Sequence, residues 1–246
     1  MIQALVAAGD IRRDLPRVTT LASQLEETQL REGLNAGSWT YSRKVRPVGG
    51  ADHANAYFAI LGLRDADRIG VPVSVETWRR ARTHWLASQN VDGSWSYKHG
   101  NDSKTGTGSM TSAGIEALMI AHERVGAAEA AFNDRKPKDG SAPSIDKPIE
   151  DGCRWLANHF SVEHNPGDGR WSLYYLDSLG RAGRITKRQV LVDSRGRKHD
   201  WYGQGSNYLI QVQGRFTGNW QDSINTDPIV GTSFALTFLS KGRIGD

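Results

Sequence analysis

One cysteine in 246 residues excludes an internal disulfide framework and any metal site built on several thiolates. No stretch approaches the ~18 consecutive apolar residues of a membrane span. The opening residues Met1–Asp10 lack a basic region, and their apolar run of about five is too short for a signal peptide, so a soluble chain is expected. Charge imbalance is also small, with 31 Lys and Arg against 27 Asp and Glu. A pI near 9.2 permits acidic partners without demanding them. Proline is sparse at 8 residues, while 27 glycines and 8 tryptophans stand out. With those glycines, the 38% hydrophobic content reaches the ~45–50% usual for globular chains and excludes wholesale disorder. There is no phosphate-binding loop, no Gly-x-Ser-x-Gly elbow and no dinucleotide fingerprint. Gly106-Thr107-Gly108-Ser109 is too short a glycine signal for phosphate.

The tryptophans carry a repeat. A helical run leads to Gln or another polar residue, and then to Gly-x-Trp. The copies end at Gly37-Ser38-Trp39, Gly93-Ser94-Trp95, Gly169-Arg170-Trp171 and Gly218-Asn219-Trp220, with the tryptophans 56, 76 and 49 positions apart. Helices preceding these turns are amphipathic, with Trp78, Ala81 and Trp85 on one stripe. Those following are apolar nearly all round, which demands burial on several sides. The pattern predicts a ring of helix hairpins. Outer helices are expected near 17–31, 75–89, 149–160 and 202–213, and inner helices near 53–68, 110–125, 171–181 and 228–241. The four tryptophans are expected to wedge at equivalent turns. Two surface insertions, 133–148 and 181–200, interrupt a single domain spanning 1–246, and residues 189–197 read as a small β-hairpin.

These Gln…Gly-x-Trp copies resemble the QW motif of the terpenoid cyclase and protein prenyltransferase superfamily. The likeness covers roughly residues 20–242 and is nearest to squalene-cyclase-like bacterial proteins. The resemblance implies an all-α, α/α-toroid fold with an apolar central cavity. Four Trp turns and a short helix at 2–8 fall short of a complete toroid, which suggests a partial ring or part of a longer chain. The family's chemistry is not evident. Its acidic motif has only Asp65-Ala66-Asp67-Arg68 as a counterpart, with Arg68 in place of the last acid. Asp151-Gly152-Cys153 copies the Asp-x-Cys step of a prenyltransferase zinc site, but Asp227–Thr232 lacks the required His. Gly152-Cys153-Arg154-Trp155-Leu156 is not a thioester motif. His159 and His164 read as surface residues, so no metal and no cofactor is implied.

Aligning the inner helices on Phe58, Ile115, Leu176 and Leu236 places Glu116 and Asp177 at one equivalent position. Two carboxylates inside apolar segments are the acid–base candidates, since burial raises a carboxyl pKa. Both are expected to face one inner space with no Arg or Lys in salt-bridge reach; a partner such as Arg124 or Arg181 would make them structural. Asp52, His53, Asn55, Tyr174, Tyr175 and Asp227 fall at the cavity mouth on the same scheme. The basic stretch from Arg181 to Lys198 lacks interleaved aromatics and is broken by Asp193, so nucleic acid is not expected. The leading reading is a toroid that binds an apolar, prenyl- or lipid-like small molecule or a protein partner on its concave face. The alternative is a diverged enzyme, a lipid cyclase or transferase or a polysaccharide lyase or hydrolase, using Glu116 and Asp177.

Overall fold

The computed structural model describes residues 1–41, 50–100, 106–132, 144–222 and 227–240. Among these, nine helices and one two-stranded hairpin are formed. The helices are α1 (Ile2–Ala8), α2 (Ile11–Thr28), α3 (His53–Arg68), α4 (Val75–Ala87), α5 (Gly108–Phe132), α6 (Asp146–Asn158), α7 (Ser172–Ile185), α8 (Trp201–Val212) and α9 (Pro228–Ser240); strands β1 (Val190–Val192) and β2 (Lys198–Asp200) lie between α7 and α8. Among the described residues the regular structure is therefore helical apart from that hairpin. None of the described helices is long and apolar enough to cross a membrane.

Two compact units are formed. The first comprises residues 1–88, 97–103 and 117–145. Here α1 packs on α2 and α3, and α2 packs on α3. Helix starts are set by side-chain oxygens that take otherwise orphaned amide protons. Asp10 accepts from Arg13 N, Asp52 from Asn55 N and Ser74 from Glu76 N. The core of this unit centres on Tyr57, Ile60, Leu61, Leu63, Trp78 and Trp85, all buried.

The second unit comprises residues 89–96, 104–116 and 146–246. Within it α7 packs on α9 and α8, β1 lies on α6, and β2 adjoins α8. Glycines let large rings sit against helix backbone. A Cβ on Gly114 would lie 2.4 Å from the Trp95 ring, and one on Gly183 would lie 2.5 Å from Trp201. The strands pair antiparallel, with Leu191 opposite His199. Asp193 closes their turn by accepting from the Arg195 and Arg197 amides at 2.9 Å each. The acidic residue in the basic stretch is thus the hairpin's anchor.

Several expectations change. The insertion at 181–200 begins with helix, because α7 runs on to Ile185 and carries Arg181 and Arg184. Helix α6 starts at Asp146, inside the expected 133–148 loop; residues 133–143 lie outside the described ones. Trp171 is not wedged. It sits in a left-handed conformation (φ 61°) ahead of α7 and is 42% exposed, whereas Trp39, Trp95 and Trp220 are buried. The apolar surround of α9 is also incomplete, since Ile229, Val230 and Leu236 are exposed.

Candidate functional site

Glu116 on α5 and Asp177 on α7 are both buried. The expectation that no basic group reaches them fails at Asp177. Arg181, one turn further along α7, donates from Nε to Asp177 Oδ2 at 2.9 Å. A carboxylate one helical turn before an arginine is the ordinary i,i+4 ion-pair geometry. The other oxygen, Oδ1, is buried with no hydrogen-bond partner among the described residues. Both acids do act on one group. The Tyr174 hydroxyl is pushed above its ordinary ionisation range by burial, and the Asp177 and Glu116 charges add to this while Ser178 and Arg181 oppose it. Arg124, the other candidate partner, pairs instead with Asp67 at 2.9 Å. Asp65 takes Arg64 at 3.0 Å, so the acidic pair nearest to the family's proton donor is committed to arginines.

The cavity-mouth candidates divide between scaffold and surface. Asp52 caps α3 and accepts from Asn55 N at 2.8 Å, Asn55 Nδ2 at 3.0 Å and Tyr97 Oη at 3.0 Å. Asp227 caps α9 through Ile229 N at 2.9 Å. Tyr175 is fully buried against Gly108, where a Cβ would lie 2.6 Å from its ring. Tyr174 packs at a tilt on Phe234, 5.4 Å between centroids. Asp52, Tyr175 and Asp227 therefore have structural reasons to be where they are.

His53 belongs to a group that sequence spacing does not reveal. Its ring stacks on Trp85 at 4.7 Å and lies 5.2 Å from His84, which meets His99 edge-on at 5.7 Å. His84 is buried. Burial first, then the neighbouring His53 and His99, lower its pKa to about 3, with the Ala36 backbone opposing. Among the described residues no group of three His, Cys, Asp or Glu side chains is placed to hold a metal ion. Cys153 is buried, and burial pushes its thiol up to about 11, the opposite of an activated thiolate.

A cleft of about 510 Å³ opens between α1, α2 and α3. Its apolar lining includes Leu21, Leu25, Trp39, Phe58 and Ala59, with Gln3, Gln24, Thr28, Thr40 and Asn55 as polar neighbours. Among the described residues no Asp, Glu, Lys, Arg or His side chain lines it. Phe58 is 46% exposed and Tyr41 78% exposed, so aromatic rings stand open to solvent there. Of the sequence candidates only Asn55 reaches this cleft. Nothing in the sequence marks Leu21, Leu25 and Phe58 as cleft residues, because a helical stripe looks the same whether another helix or a ligand covers it.

Three of the four Gly-x-Trp turns share one set of bonds. Gln29, Gln89 and Gln213 each donate from Nε2 to the carbonyl of Gly37, Gly93 and Gly218, at 3.1, 2.9 and 2.7 Å. The amide after each glutamine bonds to the carbonyl after each glycine: Leu30 to Ser38, Asn90 to Ser94 and Gly214 to Asn219. The turn glycines Gly37, Gly93, Gly169 and Gly218 all have positive φ, from 68° to 89°. Trp39 and Trp220 also donate from Nε1 to the Leu25 and Leu209 carbonyls, at 2.7 and 2.8 Å. Comparison with family models, curated proteins and solved structures finds no match to this chain.

Proposed function

We propose that this chain is a segment of an α/α toroid of the squalene-cyclase and prenyltransferase type that serves as a binding module. Its ligand is an apolar chain with an uncharged polar group, such as a prenyl or fatty alcohol. The observation that carries this is the cleft between α1, α2 and α3, about 510 Å³ with no charged side chain among the described residues of its lining. Ligand pockets are concave and mostly apolar, with a few polar groups that fix orientation. Trp39 and Phe58 offer aromatic faces, while Gln24, Thr28 and Asn55 offer uncharged hydrogen-bonding groups. Among the described residues no cationic side chain lines the cleft, so an alcohol is favoured over its phosphorylated form. The recurring Gln–Gly bonds support the toroid part of the reading, because one turn geometry recurs along the chain.

Tryptophan quenching by farnesol, dodecanol and farnesyl diphosphate tests it. Saturable quenching by the two alcohols, weaker for the diphosphate and lost in Phe58→Asp, is the expected result. No saturable quenching up to the solubility limit of either alcohol would refute the reading.

A second reading, an enzyme using Glu116 and Asp177, rests on the field of both carboxylates at the Tyr174 hydroxyl. The Arg181 ion pair counts against it, since it commits one oxygen of Asp177 to an arginine of its own helix.

A further inference from the structure

The polar groups of the cleft are not interchangeable, because hydrogen bonds behind its wall fix which way they point. Asp52, buried at the start of α3, stands behind two of them. Its Oδ1 accepts from Asn55 N at 2.8 Å, and its Oδ2 accepts from Asn55 Nδ2 and Tyr97 Oη, both at 3.0 Å. A carboxylate only accepts, so it dictates the polarity of every group bonded to it. The Asn55 amide turns its NH2 to Asp52, which leaves Oδ1 for the cleft that Asn55 lines. Among the described residues nothing donates to that oxygen.

Tyr97 carries the same constraint one residue further. Its hydroxyl has a single proton, and that proton goes to Asp52. Burial first, then the Tyr41 hydrogen bond and the Asp52 charge, raise the Tyr97 hydroxyl above its ordinary ionisation range, so the proton is held. The Tyr97 oxygen is left to accept from Tyr41 Oη, 3.3 Å away. Tyr41 thus gives its proton to Tyr97 and turns only lone pairs to the cleft that it lines. Thr28, a third lining group, already donates from Oγ1 to the Gln24 and Leu25 carbonyls at 2.8 and 3.2 Å. Gln3 and Gln24 can turn either end of their amides to a ligand and set no polarity.

We infer that this end of the cleft selects ligands whose head group donates a hydrogen bond, with Asp52 as the positioning residue that sets a preference for a free alcohol over its ethers. The inference rests on the binding reading above and adds to it a reason for the choice of head group. Asn55 Oδ1 and Tyr41 Oη, joined through Asp52 and Tyr97, take the hydroxyl proton of the ligand. An ether oxygen sets lone pairs against lone pairs and leaves those acceptors unbonded. A site built to hydrogen-bond a hydroxyl rejects an analogue without that proton more strongly than an apolar wall rejects by size.

Titration of the whole chain with farnesol and farnesyl methyl ether, read by tryptophan fluorescence, tests this. The wild type is expected to bind farnesol about tenfold tighter, although the ether is the more apolar of the two. Asp52→Asn keeps the size and capping oxygen of the side chain but puts an NH2 where Oδ2 was. That NH2 donates to Tyr97 and Asn55, which reverses both chains of bonds and turns donors into the cleft. The ratio of the two dissociation constants is expected to fall to about one or to invert. Tyr97→Phe, at a half-exposed position, frees the Tyr41 proton alone and narrows the ratio part of the way, and it carries the test if Asp52→Asn does not fold. Equal affinity of the wild type for alcohol and ether overturns this inference and leaves the binding reading standing, whereas no saturable binding of farnesol removes both. A ratio that neither substitution changes also overturns it, as does an equal loss of both ligands, which marks Asp52 as structural alone.

Discussion

The side chain of Gln29 spans 48 residues of sequence to reach the Thr77 carbonyl at 3.0 Å, while its own Oε1 accepts from Arg80 Nε at 2.8 Å. One buried carboxamide thus ties the end of α2, the Gly37 turn and the start of α4 together. Leaving buried carbonyls without a donor costs about 1–3 kcal/mol. Gln29→Ala and Gln89→Ala are each expected to lose about that much in urea unfolding. Gln213→Ala, whose site is open to water, is expected to lose far less. Equal losses at all three positions would contradict this account of the turns.

Glycine substitutions provide a graded comparison. All four turn glycines have positive φ, so alanine costs about 1–2 kcal/mol at each through backbone strain alone. At Gly37 and Gly93 the new methyl also meets helix backbone at 2.1 and 2.7 Å, while at Gly169 and Gly218 it meets open space. Denaturation midpoints should therefore fall in two groups, with Gly37→Ala and Gly93→Ala clearly the more damaging.

Buried His84 makes stability depend on pH. Its pKa lies at about 3 in the folded chain, against about 6.5 when unfolded. The unfolded state therefore binds one more proton between those values, and stability from this residue is complete above pH 6.5. It falls by about 1.4 kcal/mol for each unit of pH below that, until the folded pKa is reached. Urea midpoints measured between pH 7.5 and pH 4 should show this slope, and His84→Gln should flatten it. A wild-type profile that stays level down to pH 4 would contradict the burial of a neutral imidazole.

The Asp177–Arg181 pair predicts an asymmetry. Arg181→Ala leaves a carboxylate buried without its cation, which costs about 3–5 kcal/mol. Asp177→Asn leaves an arginine that is already one-fifth exposed at its side chain and can turn to water, so a smaller loss is expected in chemical denaturation. If both variants are equally mild, the pair is not what holds Asp177 in place.

The helices were largely legible because their signals are local. Asp52 before an apolar run marks the start of α3, and Gly70 with Val71 marks its end, where both amides bond back to Asp67 and Ala66. Glu116 and Asp177 stand inside apolar runs, and both are buried. Arg181 falls at the end of the expected inner helix, four residues after Asp177, and the structure makes it the partner that the sequence leaves open. Trp171 misled because Gly-x-Trp alone does not fix the turn. Without a glutamine the ring swings outward, and Asp222 takes the Ser172 and Leu173 amides at 3.1 and 3.2 Å. The imidazoles of His53, His84 and His99 come from three distant segments with no spacing rule to join them. The cleft was hidden for a related reason, since its walls use the residue types of a core.

The most direct test of the binding reading is photo-crosslinking with a diazirine analogue of farnesol, followed by peptide mapping. Adducts concentrated on α2 and α3, at Leu21, Leu25 or Phe58, and competed away by unlabelled farnesol, are the predicted result. Adducts on α7 near Tyr174, or labelling that farnesol does not compete, would contradict it.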